Sequence, residues 1–149
     1  MKLYEEPGLG FLILDVARML RRSFQKRMVG SELTLAQSRA LVYVARNPGI
    51  RQVDLADRLE VQPITLARLI DQLEASGLAE RRPDPTDRRA YQLHITPKAV
   101  RYLDDIERVI LAIRQNAFAG ISEPEIATLF ATLEKVNNNL AGQQRIGHD

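Results

Sequence analysis

Apolar residues recur at spacings of three and four through the first third of the chain, which is the pattern of an amphipathic helix. The stripe consists of Ile13, Val16, Ala17, Leu20, Phe24 and Met28. It predicts one helix over roughly 10–28. A second helix is predicted to begin at Thr34, because Thr34 and Gln37 have the spacing of a capping box, and to end at Asn47-Pro48-Gly49.

Two short helices follow, separated by very few residues. Leu55, Ala56 and Leu59 form the apolar stripe of the first, and Pro63 opens the second, which ends at Gly77. Two helices joined by a three- or four-residue turn have the spacing of a helix-turn-helix. The opposite stripe of the second helix is polar and consists of Gln62, Thr65, Arg68 and Gln72.

After Gly77 the period falls to about two, which is typical of strands. Residues 78–82 and 90–95 are predicted strands, and the turn-forming residues 83–87 are a loop between them. The side chains of the second strand are expected to alternate between the two faces. Those that face inward are Tyr91, Leu93 and Ile95, and those that face outward are Gln92 and His94. A hairpin directly after a helix-turn-helix is a wing, with Arg88 and Arg89 near its tip.

The rest of the chain is helical again. Thr96-Pro97 is expected to open a long helix with a heptad seam, formed by Ala99, Leu103, Ile106, Ile110, Ile113 and Ala117. Ser122 and Glu125 have the spacing of a second capping box. The last helix has an apolar face that consists of Ile126, Leu129, Phe130, Leu133, Val136 and Leu140. Residues 141–149 are expected to be a flexible tail.

Composition narrows the classes of function. The 149 residues include no cysteine, which excludes disulfides, thiolate metal sites and thiol redox chemistry, and 45% are hydrophobic, which argues against general disorder. The formal net charge is only +2. Basic residues nevertheless concentrate between Arg81 and Arg101, a segment that contains six basic residues and only two acidic ones, Asp84 and Asp87. A basic wing indicates a polyanionic partner, and a solvated charge run is the alternative.

These features resemble a known family, the MarR/SlyA winged-helix regulators, over roughly residues 10–140. Segment 87–96 fits the family pattern of Asp, any residue, Arg, five residues and Leu-Thr, with Ile95 in place of the usual leucine. Segment 69–78 is similar to the family's recognition-helix ending. Glu60 stands where many members have glycine.

The resemblance implies a mainly α fold with a small β-hairpin wing, in which N- and C-terminal helices form a dimerisation region. The expected organisation is a single MarR-type domain over 1–149. It has a winged-helix DNA-binding module over 31–96, dimerisation helices over 10–30 and 97–140, and the tail over 141–149. The amphipathic helices at both ends also favour a partner chain, because the winged module alone cannot cover their apolar faces.

The expected function is that of a transcriptional regulator, by family default a repressor, which binds a palindromic operator in double-stranded DNA as a homodimer. Gln62, Thr65 and Arg68 are expected at base edges in the major groove. The resemblance implies that Arg89 enters the minor groove and that Asp87 orients it. Further contacts, mainly to phosphates, are expected from Arg88, Ser38, Gln52 and Arg82, with Arg51 and Arg81 as further candidates.

Other functions have weaker support. No cofactor and no metal are expected, and an enzyme is disfavoured because no carboxylate pair, nucleophile or phosphate loop is set up. A protein-interaction or assembly module is the alternative to DNA binding, since winged helices serve both roles. The family often binds phenolic or aromatic carboxylates, so a small aromatic or phenolic effector is a hypothesis without assigned residues. The apolar run 9–14 is too short for a membrane span, and a cytoplasmic location is expected.

Overall fold

A computed structural model describes residues 8–146 of the chain, with side chains to residue 142. Within that range the helices are α1 (Leu9–Arg27), α2 (Leu35–Arg46), α3 (Gln52–Leu59), α4 (Pro63–Ala75), α5 (Val100–Ala117) and α6 (Glu123–Ile146), and the strands are β1 (Ile50–Arg51), β2 (Ala79–Pro83) and β3 (Tyr91–Ile95). This is the mainly helical, winged fold that the sequence predicts. The chain divides into two compact units, with the boundary in the sequence between Ile113 and Arg114. Within residues 8–146, no helix combines the length and hydrophobicity that a bilayer span requires.

The start of α2 is fixed by the predicted capping box. Thr34 Oγ1 accepts a hydrogen bond from the Gln37 N–H over 3.1 Å, and Gln37 Oε1 accepts one from the Thr34 N–H over 2.9 Å. Two backbone donors that the helix cannot use are thereby satisfied. The predicted boundaries of α1 and α2 are confirmed to within a residue or two.

The helix-turn-helix consists of α3, a short turn and α4. Glu60 adopts the left-handed conformation, with φ 53° and ψ 44°, and so supplies the turn that glycine usually makes. Gly77, at φ 70°, follows α4 and reverses the chain into β2. The α3–α4 spacing is therefore the one that the sequence predicts, with Glu60 doing what glycine does elsewhere.

The sheet has three antiparallel strands in the order β1, β3, β2, whereas the sequence predicts only two. The unpredicted strand β1 pairs Ile50 with Leu93. Leu93 is fully buried at the centre of β3. The expected inward position of Tyr91 is wrong, because β3 begins at Tyr91 beside the wing loop and leaves this residue 50% exposed.

The core of the first unit lies where α2, α3, α4 and the sheet converge. Its fully buried side chains include Leu41, Val44, Leu55, Ile70, Leu73, Leu78 and Leu93. Ile106 of α5 belongs to the same cluster. Burial of this apolar surface is the main favourable term that holds the helix-turn-helix against the wing.

The long helix predicted after Thr96 begins with a 3₁₀ turn, Pro97–Ala99, before α5. Ile106 and Ile113 of the predicted seam are buried, but Ile110 is 42% exposed. In the second unit, Ser122 and Glu125 form the predicted capping bonds at the start of α6. The Glu125 carboxylate accepts hydrogen bonds from the Ser122 hydroxyl and the Ser122 N–H, and these two bonds lower the pKa of Glu125, the hydroxyl bond most. Helix α6 continues to Ile146, past the expected start of the tail at 141; residues 147–149 lie outside the described residues.

Candidate nucleic-acid interface

The outer face of α4 is polar and open to solvent. Gln62, Thr65 and Arg68 are all exposed, as the sequence predicts. Gln62 is the N-cap residue, and its side chain makes no capping bond. The first N–H groups of α4 therefore have no side-chain acceptor from the cap and carry the positive end of the helix dipole. Such a helix start can accept an anionic group such as a phosphate.

The tip of the wing presents two arginines. Arg88 and Arg89 are exposed, and Asp87 Oδ1 accepts a hydrogen bond from the Arg89 backbone N–H over 2.9 Å. The resemblance implies that Asp87 orients the Arg89 side chain. In the structure the Asp87 carboxylate instead fixes the Arg89 main chain, and the guanidinium projects from a defined backbone position.

The wing loop is organised around Asp84, which the sequence pattern identifies only as a turn former and as one of two acidic residues in the basic segment. Its Oδ1 accepts hydrogen bonds from Thr86 N at 2.9 Å, Thr86 Oγ1 at 2.8 Å and Asp87 N at 3.1 Å. Its Oδ2 accepts from Arg51 Nε at 2.9 Å and lies 3.5 Å from Gln92 Nε2. The Asp84 side chain is 3% exposed.

These bonds hold the pKa of Asp84 well below its usual range. The two bonds from Thr86 contribute most, and Arg51 adds to them. The same contact with Asp84 raises the pKa of Arg51. A signal in the sequence was available, since Asp84 precedes Thr86 by two residues, which is the spacing of an Asx turn. The partnership with Arg51, 33 residues away, carries no such local signal.

Arg81 joins β2 to α4. Its guanidinium donates to Asp71 Oδ1 at 2.7 Å, Glu74 Oε2 at 2.6 Å and the Ala67 carbonyl at 3.0 Å. Its Nε donates to Gln52 Oε1 at 2.8 Å. With its side chain only 17% exposed and four of its five N–H donors engaged, Arg81 fastens the base of the wing to α4, and the idea that it contacts phosphate is not supported.

The remaining side chains predicted to contact phosphates differ in their exposure and in the partners that they already have. Gln52 is half-buried and engaged by Arg81, and Arg82 is exposed and paired with Glu80. The prediction for Ser38 is wrong: Ser38 is 1% exposed because it lies on the inner face of α2. Its Oγ has no hydrogen-bond partner among the described residues.

A cleft of about 310 Å³ lies between the wing and the start of α3 and α4. Its lining comprises Arg51, Gln52, Val53, Pro63, Asp87, Arg89, Ala90 and Tyr91. Arg89 of the wing and the first residue of α4 therefore border the same concave surface. Among residues 8–146, no group of three His, Asp or Glu side chains is arranged to hold a metal ion.

Comparison with known proteins agrees with this architecture. The MarR family model matches residues 31–90, which contain the helix-turn-helix and most of the wing. A proposed transcriptional regulatory protein for the hcr operon of Thauera aromatica is 38% identical over 96 residues. That match spans 64% of this chain and 58% of the relative, so the chain aligns with a little over half of that protein.

Solved structures match over a longer range. A crystal structure of MarR is 30% identical, with a TM-score of 0.79, and the match covers 94% of this chain and 95% of that one. A MarR variant from E. coli, solved in complex with operator DNA, is 26% identical, with a TM-score of 0.74 and coverage of 91% and 98%. Sequence and fold thus agree over nearly the whole length of both chains, and this chain belongs to the MarR family of transcriptional regulators.

Proposed function

We propose that this chain is a sequence-specific regulator that binds a palindromic operator in double-stranded DNA. The observation that carries the proposal is the geometry of the first unit, in which the open polar face of α4 and the wing arginines are held together by Arg81 and Asp84. A helix and a wing in fixed relation can enter adjacent grooves of one duplex. The similarity to a MarR variant crystallised with operator DNA supports the same function.

The proposed contacts divide by what they read. Gln62, Thr65 and Arg68 are exposed at the start of α4 and can reach base edges in the major groove, where arginine pairs with guanine and glutamine with adenine. Arg89 is proposed to enter the minor groove and Arg88 to assist it. Arg82 and Gln52 contact phosphates, which position the protein without reading sequence. Ser38 is excluded from this set by its burial.

A homodimer is part of the proposal, because each unit has an uncovered apolar helix face. None of the 19 residues of α1 is buried, and its exposed residues include Phe11, Leu12, Ile13, Val16, Met19 and Leu20. In the second unit, the exposed apolar residues include Leu129, Phe130, Leu133 and Leu140. Apolar surface of this extent is covered most simply by a second copy of the chain. Two copies related by a twofold axis match a palindrome, and occupancy of an operator leads most directly to repression.

A second cavity, of about 310 Å³, lies in the first unit. We propose that a small aromatic or anionic ligand binds in this cavity and releases the protein from DNA. Its lining is mostly apolar and comprises residues of α1, α2 and α5: Leu20, Phe24, Leu35, Val42, Tyr43, Ile106, Ile110 and Ile113, with Arg21, Ser38 and Arg39 as the other members. This volume is at the lower end of the range for small-molecule sites. An aromatic ring would meet an almost entirely apolar wall, and the side chains of Arg21 and Arg39 border the cavity.

The regulatory function is tested by selecting bound duplexes from a random pool with the full chain. The account predicts enrichment of a palindrome whose half-sites lie about one helical turn apart. Arg68→Ala should relax the preference at one base pair of each half-site, whereas Lys135→Ala on α6 should leave the enriched motif unchanged. A pool without any enriched motif would instead favour the protein-assembly function.

The ligand proposal has its own test. Benzoate and phenol, titrated into the dimer, should raise the melting temperature and weaken binding to the selected duplex, benzoate more strongly because it adds a carboxylate. Arg39→Gln should reduce the preference for benzoate. If neither compound changes the melting temperature or the DNA affinity at millimolar concentration, control by such ligands is ruled out.

A further inference from the structure

Asp84 is a buried carboxylate in a loop that is otherwise open to solvent. Its side chain is 3% exposed, while the five residues that follow it, 85–89, are all exposed. Taking a carboxylate out of water is costly unless donors replace the lost water molecules. Asp84 has such donors on both oxygens, and it is the one buried residue of 84–89.

The donors come from two directions. Three of them, Thr86 N, Thr86 Oγ1 and Asp87 N, belong to the loop itself and close it on Oδ1. The opposite oxygen faces the sheet, where Arg51 of β1 donates to it over 2.9 Å. One side chain therefore closes the loop and also ties the loop to the sheet beside the helix-turn-helix.

A second step continues this anchoring to the tip of the wing. The Asp87 N–H is bound by Asp84, and the Asp87 carboxylate in turn accepts the Arg89 N–H over 2.9 Å. Two successive hydrogen bonds thus connect the buried carboxylate to the backbone of Arg89. The Arg89 guanidinium is left outside this series and is exposed.

We propose that Asp84 is a positioning residue for DNA binding, which acts through Asp87 to hold the Arg89 backbone in the geometry that the minor groove accepts. The inference rests on the proposed DNA-binding function and assigns a role to a residue outside the DNA contact surface. A wing tip that is already ordered in the free protein loses less conformational entropy when it binds the duplex. The low pKa of Asp84 is consistent with this role, because it keeps the carboxylate charged at any pH at which the protein would bind DNA.

The test compares Asp84→Asn with Asp104→Asn, a matched loss of one exposed carboxylate on α5, outside the wing. Affinity is measured by fluorescence anisotropy on the duplex selected by the wild-type chain. Asp84→Asn should weaken binding roughly tenfold, and Asp104→Asn by less than about threefold. Asp87→Ala removes the hydrogen bond to the Arg89 N–H without disturbing the core. It should therefore reproduce the loss of DNA affinity even if Asp84→Asn folds poorly.

A double-mutant cycle separates positioning from general stability. In the Arg89→Ala background, Asp84→Asn should cost less than about twofold, because the group that it positions is gone. In the free protein, the Arg89 amide should exchange with solvent faster in Asp84→Asn than in the wild type. Equal losses in both backgrounds, or unchanged exchange at Arg89, would overturn the inference.

These outcomes are distinguishable from failure of the proposed function. If the wild-type chain selects no duplex, DNA binding itself fails, and the amide exchange still reports whether Asp84 orders the wing tip. If the wild type binds and Arg89→Ala weakens binding, but Asp84→Asn and Asp87→Ala bind like the wild type, the positioning role alone is wrong.

Discussion

The Asp87 carboxylate accepts a hydrogen bond from the backbone N–H of Arg89 over 2.9 Å, and this bond defines the tip of the wing. It leaves the Arg89 guanidinium exposed. An exposed cation held on an ordered backbone is suited to bind a polyanion.

Replacement of Arg89 by alanine is therefore expected to weaken binding to the selected duplex by about 1–3 kcal/mol, the usual cost of losing one well-placed arginine contact. The dimer should remain intact, because Arg89 is exposed on the wing loop. Anisotropy titration gives the affinity, and sedimentation gives the mass. Lys135→Ala on α6 removes an equal charge far along the chain and should change the affinity little. Equal affinities for Arg89→Ala and the wild type would show that the wing is not part of the DNA interface.

Asp84 should make stability depend on pH. Its pKa in the folded state is lowered, by Thr86 first and then by Arg51, from an unfolded value near 3.9. A group of this kind contributes stability above its unfolded pKa, and the contribution is lost as pH falls toward the folded pKa. The free energy of unfolding should therefore decline from about pH 5 downward, and less steeply in Asp84→Asn. Glu125, shifted in the same direction by Ser122, should preserve part of the decline. Parallel pH profiles for the two proteins would contradict this account of the loop.

The Ser38 hydroxyl is buried without a hydrogen-bond partner among the described residues, so its removal should not destabilise the free protein. We expect Ser38→Ala to raise the free energy of unfolding by up to about 1 kcal/mol, measured by urea denaturation. Ser31→Ala is the matched control, because Ser31 Oγ accepts a bond from the Leu33 N–H over 3.1 Å and its loss should destabilise. Destabilisation by Ser38→Ala as large as that of the control would mean that the hydroxyl has a partner.

Glu60 has the left-handed conformation with φ 53°, which costs roughly 1–2 kcal/mol for a residue with a Cβ. Glycine avoids that cost and loses somewhat more entropy on folding. Glu60→Gly is therefore expected to raise the melting temperature by a few degrees, while Glu60→Ala, which keeps the Cβ, should not. A fall in the melting temperature of Glu60→Gly would indicate that the Glu60 side chain stabilises the turn.

The elements that the sequence predicts well are those with local causes. The capping boxes at Thr34 and Ser122 depend on groups three residues apart, and both form. The apolar stripes of α3 and α4 are also local, and the helix-turn-helix follows from them. Strand β1 escapes detection because two residues have no period, and it exists only because Leu93 lies opposite Ile50.

The errors at the site have equally specific causes. Residue type alone predicts Ser38 at the surface, although it is three residues before the fully buried Leu41 and shares its helical stripe. The sequence places Arg81 in the basic segment, but folding brings Asp71, Glu74 and Gln52 around it. Arg51 ties Asp84 to the sheet, and no local pattern predicts that contact.

The central claim is that α4 and the wing together read a specific DNA sequence. It is tested most directly by measuring the affinity of the full chain for the selected duplex and for a scrambled duplex of the same length, at several salt concentrations. The account predicts binding at least 10³-fold tighter to the selected duplex at physiological salt, with affinity for both falling as salt rises. Equal affinity for the two duplexes, or no binding to either at low salt, would contradict it.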